Sequence, residues 1–333
     1  MEKITRNNVA KLAGVSPSTV SRVFSKNKSI SKETIQKVKK IAKKIGYTPS
    51  EIGKIFSHNK SFRIAVIIPF KYNQNKPSTI AYEYFSKTLL GIIEECGKHK
   101  YSVGMIADNN LTEQDLMKLT NSKSYDGFIF LVPSIDDTRF ETLYKNKIPF
   151  IFVNHYIKNM PYPYVDCDSY LGMKDAFKYL QNKKIKKVTM LSAGKKSINS
   201  LDREKIFKKL SKQYKFKITK IVEGNFSKTS GYIKADEFLL DERPEVIFCA
   251  NDRMAFGVIT RLKEQKINIP DEIKIIGFDN QDLSTLIQPK LTTIENPFFD
   301  IGKQAGINLI KIISNKKFEN VKMKTKLIIR ESC

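Results

Sequence analysis

The side chains best placed to do chemistry lie near the start of the chain, on the outward face of a short predicted helix. Ser16 and Pro17 have the pattern of a helix cap followed by the first helical residue. Val20 and Val23 would face a core, which leaves a small polar face made of Pro17, Ser18, Ser21 and Arg22. A polar face of this kind, with one arginine, fits the major groove of B-DNA.

Two further helices must position this face. The first is predicted to begin after Thr5, and its apolar residues at helical spacing are Val9, Ala10, Leu12 and Ala13. Gly14 can supply the positive φ of a tight turn. A third helix is predicted to begin after Ser31 and to end at Gly46, with an apolar face opposite its lysines. An ordinary αα-hairpin is the alternative interpretation.

Positive charge is concentrated in the same part of the chain. The first 60 residues carry 14 Lys and Arg against 3 acidic residues, whereas the remainder carries 45 against 31. This density is expected for a module that faces phosphates. The whole chain has 333 residues and a net charge of +25, and it is long enough for more than one domain.

Several other classes of site are missing from the sequence. The four cysteines have no paired spacing, and the three histidines form no HExxH motif, so we expect no metal and no cofactor. There is no nucleophile elbow, phosphate-binding loop or dinucleotide fingerprint, so we expect no enzyme. No 18-residue apolar run and no signal-peptide pattern occur, so we expect a cytoplasmic protein without membrane association.

A short segment joins the basic module to the rest of the chain. The sequence from Thr48 to Glu51 has the pattern of a capping box that opens a helical turn or two. Ile52, Ile55 and Phe56 share one side of this segment, and Gly53 weakens it as a helix. We expect it to fold only when something packs against it, with a plain linker as the alternative.

From residue 62 onward, predicted strands and helices alternate. The run from Ile64 to Pro69 is apolar and rich in β-branched residues, as in a buried parallel strand. The alternation restarts after the proline-rich stretch at residues 161–163, which predicts two doubly wound α/β lobes. Ligands bind such sheets at the carboxyl ends of strands, so we expect a cleft where the lobes meet.

A set of motifs then indicates a family. The N-terminal module reads V-A-K-L-A-G-V-S-P-S-T-V-S-R-V and is followed by Y-T-P. Further along, in order, come L-L-G-I-I-E, Y-D-G-F-I, V-D-C-D-S-Y, A-N-D-R-M-A-F-G, I-I-G-F-D-N, L-T-T-I and I-I-R-E-S. Over its whole length the chain resembles the LacI/GalR family of bacterial transcription regulators.

The resemblance implies a fold class and a division into domains. It implies an α/β protein with a three-helix helix-turn-helix headpiece at residues 1–47 and a hinge helix or linker at 48–61. A two-lobed, periplasmic-binding-protein-like core for effector binding and dimerisation would occupy residues 62–333. The expected lobes are an N-lobe at 62–160 plus 295–320 and a C-lobe at 161–294 plus 321–333.

The resemblance also implies a homodimer whose headpieces bind the half-sites of a pseudo-palindromic, double-stranded operator DNA. Pro17, Ser18 and Arg22 would read base edges, while other headpiece residues would contact phosphates. The expected DNA-binding residues are Thr5, Ser16, Pro17, Ser18, Thr19, Ser21, Arg22, Asn27, Ser31, Tyr47, Ile52, Gly53 and Phe56. In the hinge, Phe56 stands where the family has a leucine that wedges between base pairs, and Gly53 stands where alanine is common.

In the core, the resemblance implies a small effector, expected to be a sugar, between the lobes. Arg203, Asn251 and Asp279 match positions that often hydrogen-bond sugar hydroxyls. The expected effector-binding residues are Tyr84, Phe85, Asn154, Arg203, Asn251, Asp279, Asn296 and Phe298. Alternatively, Asn251 caps a helix, Asp279 is a loop carboxylate and Arg203 pairs with a surface acid, since Ile206 replaces a glycine common in the family.

The function expected from these features is repression of carbohydrate-utilisation genes under allosteric control by a sugar. A purine co-repressor or a phosphoprotein co-effector is the alternative within the same fold. Outside the class of regulators, the alternative is an architectural DNA protein whose core only dimerises. Some members of the family form tetramers through a C-terminal heptad tail. Because Cys333 closely follows the last predicted strand, we expect no such tail, and therefore a dimer rather than a tetramer. The sequence identifies neither the effector, nor its sign of action, nor the operator.

Overall fold

The computed structural model describes residues 4–24, 30–47, 60–69, 82–108, 110–240 and 242–333, with the side chains of residues 82–84 left out. Contacts divide the chain into two compact units. One contains residues up to 64 together with 114–126, and the other contains residues 65–113 and 127–333. The predicted DNA contacts Asn27, Ile52, Gly53 and Phe56 lie outside the described residues.

Three helices form the headpiece of the first unit, as the sequence predicts: α1 (Arg6–Ala13), α2 (Pro17–Phe24) and α3 (Lys32–Ile45). Their core includes Val9, Val20 and Val38, each with no exposed surface. Gly14 ends α1 with a φ of 64°, a conformation that other L-residues adopt at a cost. Ser31 caps α3, because its Oγ accepts a hydrogen bond of 3.2 Å from the backbone N–H of Thr34.

One residue of the predicted apolar stripe lies outside this core. Leu12 is 59% exposed, whereas Val9, Ala10 and Ala13 are buried. At about 100° per residue, Leu12 is rotated by roughly 100° from the centre of the face that the other three share. Its assignment to the core was wrong.

Strands and helices alternate from residue 63 to the end of the chain, as expected. The elements up to residue 168 are β1 (Arg63–Ile68), α4 (Tyr82–Lys98), β2 (Ser102–Ala107), α5 (Glu113–Asn121), β3 (Gly127–Leu131), α6 (Arg139–Lys145), β4 (Phe150–Val153) and β5 (Tyr164–Asp168). The elements from 169 to 249 are α7 (Ser169–Asn182), β6 (Lys187–Ser192), α8 (Ile198–Gln213), β7 (Lys217–Glu223), α9 (Lys228–Lys234), a 3₁₀ turn (Ala235–Phe238) and β8 (Val246–Cys249). The last are α10 (Asp252–Glu264), β9 (Lys274–Asp279), α11 (Leu283–Leu286), β10 (Thr292–Glu295), α12 (Phe298–Ile313), β11 (Val321–Lys324) and β12 (Lys326–Ile328).

These strands form two six-stranded sheets. Their orders are β11-β5-β4-β3-β1-β2 and β12-β10-β9-β8-β6-β7. Strand β4 pairs in parallel with β3 and β5, and β8 pairs in parallel with β6 and β9, whereas β12 runs antiparallel to β10 at the edge of the second sheet. None of the helices in the described ranges combines the length and apolar character that a membrane crossing requires.

The chain crosses between the sheets three times: after β5, after β10 and between β11 and β12. The expected lobe division placed residues 164–168 and 321–324 in the C-lobe. The sheets correct this division, because β5 and β11 pair in parallel with each other and β5 also pairs with β4. Strand β11 is hard to recognise from its residues, since partly buried and exposed positions alternate in it without a long apolar run.

Two glycines allow α4 and α12 to pack at close range. A Cβ atom added to Gly302 would lie 2.1 Å from the backbone O of Thr88, and one added to Gly91 would lie 2.1 Å from the backbone O of Phe299. These distances are far below van der Waals contact, and the obstructing atoms belong to the backbone. The packing of the first sheet's main helices therefore depends on the absence of side chains at these positions.

We expect Gly302→Ala to lower the free energy of unfolding by about 1–3 kcal/mol, because the added methyl group forces the two helices apart. Gly97→Ala in α4 is the matched control, because its Cβ would meet nothing within 4 Å. That change should be neutral or stabilising by up to about 1 kcal/mol through helix propensity. Denaturant unfolding of both variants provides the measurement, and equal midpoints would contradict the proposed role of the close contact.

Candidate functional site

The headpiece exposes the predicted reading face of α2. Pro17, Ser18, Ser21 and Arg22 are exposed, whereas Val20 is buried in the headpiece core. The expected division of α2 into a polar outer face and an apolar inner face is therefore present in the structure.

Hydrogen bonds fix the start of α2. Ser16 Oγ accepts from the backbone N–H of Thr19 at 3.1 Å and lies 2.7 Å from Ser18 Oγ. Arg6 of α1 donates from Nη1 to Ser21 Oγ at 3.1 Å, which ties the two helices together. These contacts hold the start of α2 in place and join the polar face to α1.

The remaining predicted DNA contacts within the described residues lie at the ends of the helices. The backbone N–H of Thr5 donates to Asn8 Oδ1 at 2.8 Å at the start of α1. Tyr47 follows α3 and packs edge-on against Phe24, with 5.8 Å between the ring centroids. Contact of these residues with phosphate stays a prediction.

Within the second unit, a cavity of about 160 Å³ lies at the carboxyl ends of several strands of both sheets. Pro69 follows β1, Val132 follows β3, Asn154 follows β4 and Asp279 ends β9. The other lining residues are Phe85, Ser197, Asn199, Arg203, Asn225, Phe226, Ser227, Asn251, Arg253, Gln281 and Asn296. The cavity therefore has the position that parallel sheets favour for ligands.

A buried ion pair forms part of the cavity wall. Arg203 Nη2 lies 3.5 Å from Asp279 Oδ1, and both side chains are more than nine-tenths buried. The Arg203 guanidinium also lies over the ring of Phe278, with 3.6 Å from Cζ to the centroid, and Nη1 donates to the backbone O of Ala250. These contacts hold the arginine side chain in one orientation.

Some buried polar atoms of lining residues lack a hydrogen-bond partner within the described part of the chain. Among them are Nε of Arg203, Oε1 of Gln281 and Oδ1 of Asn296. Leaving a buried polar atom unpaired costs about 1–3 kcal/mol. A cavity lined by such atoms indicates a ligand that supplies both acceptors and donors.

The backbone at the cavity is strained at the ends of the strands. Val132, Asn154, Asp279 and Asn280 have φ angles of 46°, 51°, 110° and 51°. Positive φ is unfavourable for residues other than glycine, and especially so for a β-branched valine. Such conformations cluster at ligand-binding sites, where the surrounding structure maintains them.

Other predicted effector contacts differ in their placement. Asn154, Asn251, Asn296 and Phe85 line the cavity, but Asn251 also caps α10, as its alternative interpretation proposed: its Oδ1 accepts from Met254 N–H at 2.9 Å. Phe298 is buried at the start of α12 and is not among the lining residues named above, so its contact with the effector stays a prediction. The side chain of Tyr84 lies outside the described residues.

Sequence reasoning missed several lining residues. Asn199 donates from Nδ2 to the backbone O of Asn154 at 2.8 Å and so joins α8 to the end of β4. Asn225 and Ser227 line the cavity at the start of α9, which the sequence analysis did not predict. Gln281 follows the I-I-G-F-D-N motif by one residue, and that proximity was the available signal.

A fully buried carboxyl group supports the turn after β9. Burial raises the pKa of Asp252 well above its usual value, and the neighbouring Asp279 adds to this effect. Hydrogen bonds from the Thr293 hydroxyl and from the backbone N–H of Gln281 oppose it. Asp252 therefore connects α10, β10 and the cavity turn through hydrogen bonds.

Comparison with known proteins identifies both parts of the chain. Residues 5–50 match "Bacterial regulatory proteins, lacI family", and residues 177–333 match "Periplasmic binding protein-like domain". The chain is 29% identical to Catabolite control protein A of Priestia megaterium over 324 residues, which cover 95% of each protein.

Solved structures give the same result for the fold. A Lac repressor dimer bound to operator and the anti-inducer ONPF has a TM-score of 0.82 at 21% identity and covers 99% of each chain. A LacI-family regulator from Enterococcus faecium with bound ribose has a TM-score of 0.68 at 27% identity. It covers 81% of this chain and 98% of that chain.

A DNA-binding headpiece followed by two parallel-sheet lobes with a ligand cavity defines a class of ligand-responsive DNA-binding proteins. This chain belongs to the LacI family and is a transcriptional regulator, not an enzyme.

We expect Asp279→Asn to lower the free energy of unfolding by about 3–5 kcal/mol, because it leaves the buried Arg203 cation without its carboxylate partner. Asparagine tolerates the positive φ at this position, so backbone strain does not add to the effect. The measurement is denaturant unfolding without ligand.

Glu141→Gln is the control, because it removes the carboxylate of an exposed pair, with 2.6 Å between Lys145 Nζ and Glu141 Oε1. Such pairs contribute little to stability, because water and salt screen exposed charges. The double variant Arg203→Met/Asp279→Asn should recover much of the loss. Equal effects of Asp279→Asn and Glu141→Gln would show that the buried pair does not stabilise the fold.

Proposed function

We propose that this regulator represses carbohydrate-utilisation genes, binds pseudo-palindromic operator DNA as a homodimer, and responds to a small sugar in the cavity. The family's DNA-binding domain and the exposed face of α2 support DNA binding. The Lac repressor dimer on its operator supports the assembly and the repressing role. The Enterococcus faecium regulator with bound ribose supports a sugar as the effector.

The chemistry of the cavity carries the assignment of a sugar. Two amide oxygens, of Gln281 and Asn296, need donors, and Nε of Arg203 needs an acceptor. A hydroxyl group both donates and accepts, so a ring with several hydroxyls can satisfy all three atoms. A phosphate dianion or a carboxylate only accepts hydrogen bonds and would leave both amide oxygens unpaired.

The apolar part of the cavity fits the same class of ligand. Pro69, Phe85, Val132 and Phe226 line it together with the polar groups. Sugar rings present C–H groups between their hydroxyls, and these can pack against such side chains. A mixed lining with a few fixed polar groups is typical of small-molecule sites.

Contacts across the cavity provide a route for the effector to act. Asn199 Nδ2 donates to the Asn154 backbone O, and Lys87 Nζ lies 2.7 Å from Asp282 Oδ1. Asn154 follows β4 and Lys87 lies in α4, so both belong to the lobe of the first sheet. Their partners Asn199 and Asp282 belong to the lobe of the second sheet. A ligand that changes these contacts alters the arrangement of the lobes, and a coupling of about 1–3 kcal/mol to operator affinity is typical of allosteric proteins.

Arg22 gives a test of DNA reading. If Arg22 binds a guanine edge, Arg22→Ala should lower operator affinity by about 5- to 150-fold, which corresponds to roughly 1–3 kcal/mol. Affinity for random duplex should fall much less. The measurement is fluorescence anisotropy at one fixed salt concentration, with an operator selected from random duplexes.

Lys44→Ala in the last turn of α3 is the control, since an exposed lysine that acts through phosphates should affect both duplexes alike. A loss for Arg22→Ala that is equal on operator and random duplex would contradict base reading.

The effector is tested by titrating D-ribose, D-glucose, D-galactose and hypoxanthine against the protein–operator complex. One sugar should change operator affinity by about 5- to 150-fold, and operator should change the affinity for that sugar by the same factor. L-Glucose is the control for non-specific effects of polyols. A response to hypoxanthine alone would replace the sugar by a purine co-repressor, and no response to any of them would favour a phosphoprotein co-effector.

A further inference from the structure

Gln281 lies in the turn that follows β9, at the wall of the cavity. We propose that Gln281 is a specificity-determining residue whose carboxamide oxygen accepts a hydrogen bond from one hydroxyl of the effector. The inference rests on the proposed function, because it takes the effector to be a sugar. It adds a residue that neither the motifs nor the family resemblance assigns.

The first observation is the state of the side chain. Gln281 is 4% exposed, and its Oε1 atom is buried without a hydrogen-bond donor among the residues that the structure describes. A buried acceptor left in this state lowers the stability of the folded protein. A hydroxyl group of a bound ligand removes that cost.

The second observation is that the backbone of Gln281 is fixed on both sides. Its N–H donates to Asp252 Oδ2 at 2.8 Å, and its carbonyl O accepts from Ser284 N–H at 2.8 Å. Asp252 is fully buried and is also bonded by the Thr293 hydroxyl. The carboxamide therefore extends from an anchored backbone, which a residue that discriminates between ligands requires.

The third observation is the construction of the turn itself. Asp279 and Asn280 have consecutive positive φ angles of 110° and 51°. Asn280 is held by Arg330 Nη2, which donates to its Oδ1 at 2.7 Å, and by Glu295 Oε1, which accepts from its Nδ2 at 3.1 Å. Side chains outside the cavity thus maintain a strained turn that places Gln281 at the cavity wall.

The neighbouring strand provides a second acceptor. Asp279 pairs in parallel register with Glu295, so the residues that follow each strand, including Asn296, lie at the same edge of the sheet. Oδ1 of Asn296 is likewise buried without a donor in the described ranges. Two acceptors at adjacent strand ends fit two hydroxyls of one ring better than a ligand with a single donor.

The experiment compares wild-type protein with Gln281→Met, which keeps the length of the side chain and removes the acceptor. Isothermal titration calorimetry uses D-ribose, D-glucose and D-galactose, followed by the monodeoxy analogues of whichever sugar binds most tightly. Gln281→Met should weaken binding of the parent sugar by about 5- to 150-fold. One deoxy analogue should bind wild type weakly and bind both proteins equally, because the hydroxyl that Gln281 contacts is missing.

Two controls separate this role from a structural one. Gln213→Met changes an exposed glutamine at the end of α8 and should leave sugar affinity unchanged. Gln281→Met removes an unpaired acceptor, so its thermal unfolding temperature without sugar should equal or exceed that of wild type. If Gln281→Met fails to fold, the affinities of the wild-type protein for the deoxy analogues decide. Equal affinity for all of them would overturn the assignment, and weaker binding of one analogue alone would support it.

The failures are distinguishable. If wild type binds a sugar and Gln281→Met binds it with the same affinity, the role of Gln281 is overturned and the proposed function stands. If wild type binds none of the sugars yet binds operator, both the sugar response and the role of Gln281 fail, while DNA binding remains.

Discussion

The constraint on which the cavity depends is that a buried charge must have a partner. Arg203 satisfies this constraint through Asp279, the ring of Phe278 and the backbone O of Ala250. These contacts use the two terminal nitrogens and the flat face of the guanidinium. The Nε–H group has no hydrogen-bond acceptor among the described residues. The contacts that stabilise the buried cation therefore leave one donor of a cavity-lining side chain without an acceptor among the described residues.

Regular patterns allowed much of the fold to be predicted from the sequence. Gly14, Ser31 and Gly46 mark helix ends through their own backbone or side-chain chemistry, and apolar runs such as residues 64–68 mark buried strands. The edge strands β7 and β11 were missed because their residues are mostly half-exposed and include charged side chains. Strand pairing across more than 150 residues decides which sheet receives β11, and no local pattern encodes it.

The candidate site was predictable where the family resemblance assigns positions to it. Arg203, Asn251 and Asp279 were chosen in this way, and all three line the cavity. Gln281 could not be found by the same route, because its position depends on two successive residues with positive φ and on support from Arg330, far away in the sequence. Phe298 was proposed for the apolar wall from the family resemblance, and it is buried in the first turn of α12.

The three crossings between the sheets have a consequence for the order in which the protein is made. The first sheet begins with β1 but is completed by β11, and its covering helix α12 is also encoded late. Strands β6 to β10 of the second sheet lie between these parts in the sequence, but its edge strand β12 comes last. Since chains emerge from the ribosome N-terminus first, most of the second sheet can form while the first still lacks one edge and one layer. Each sheet nevertheless receives one edge strand, β11 or β12, from the last elements to be made, so neither lobe is complete until they emerge.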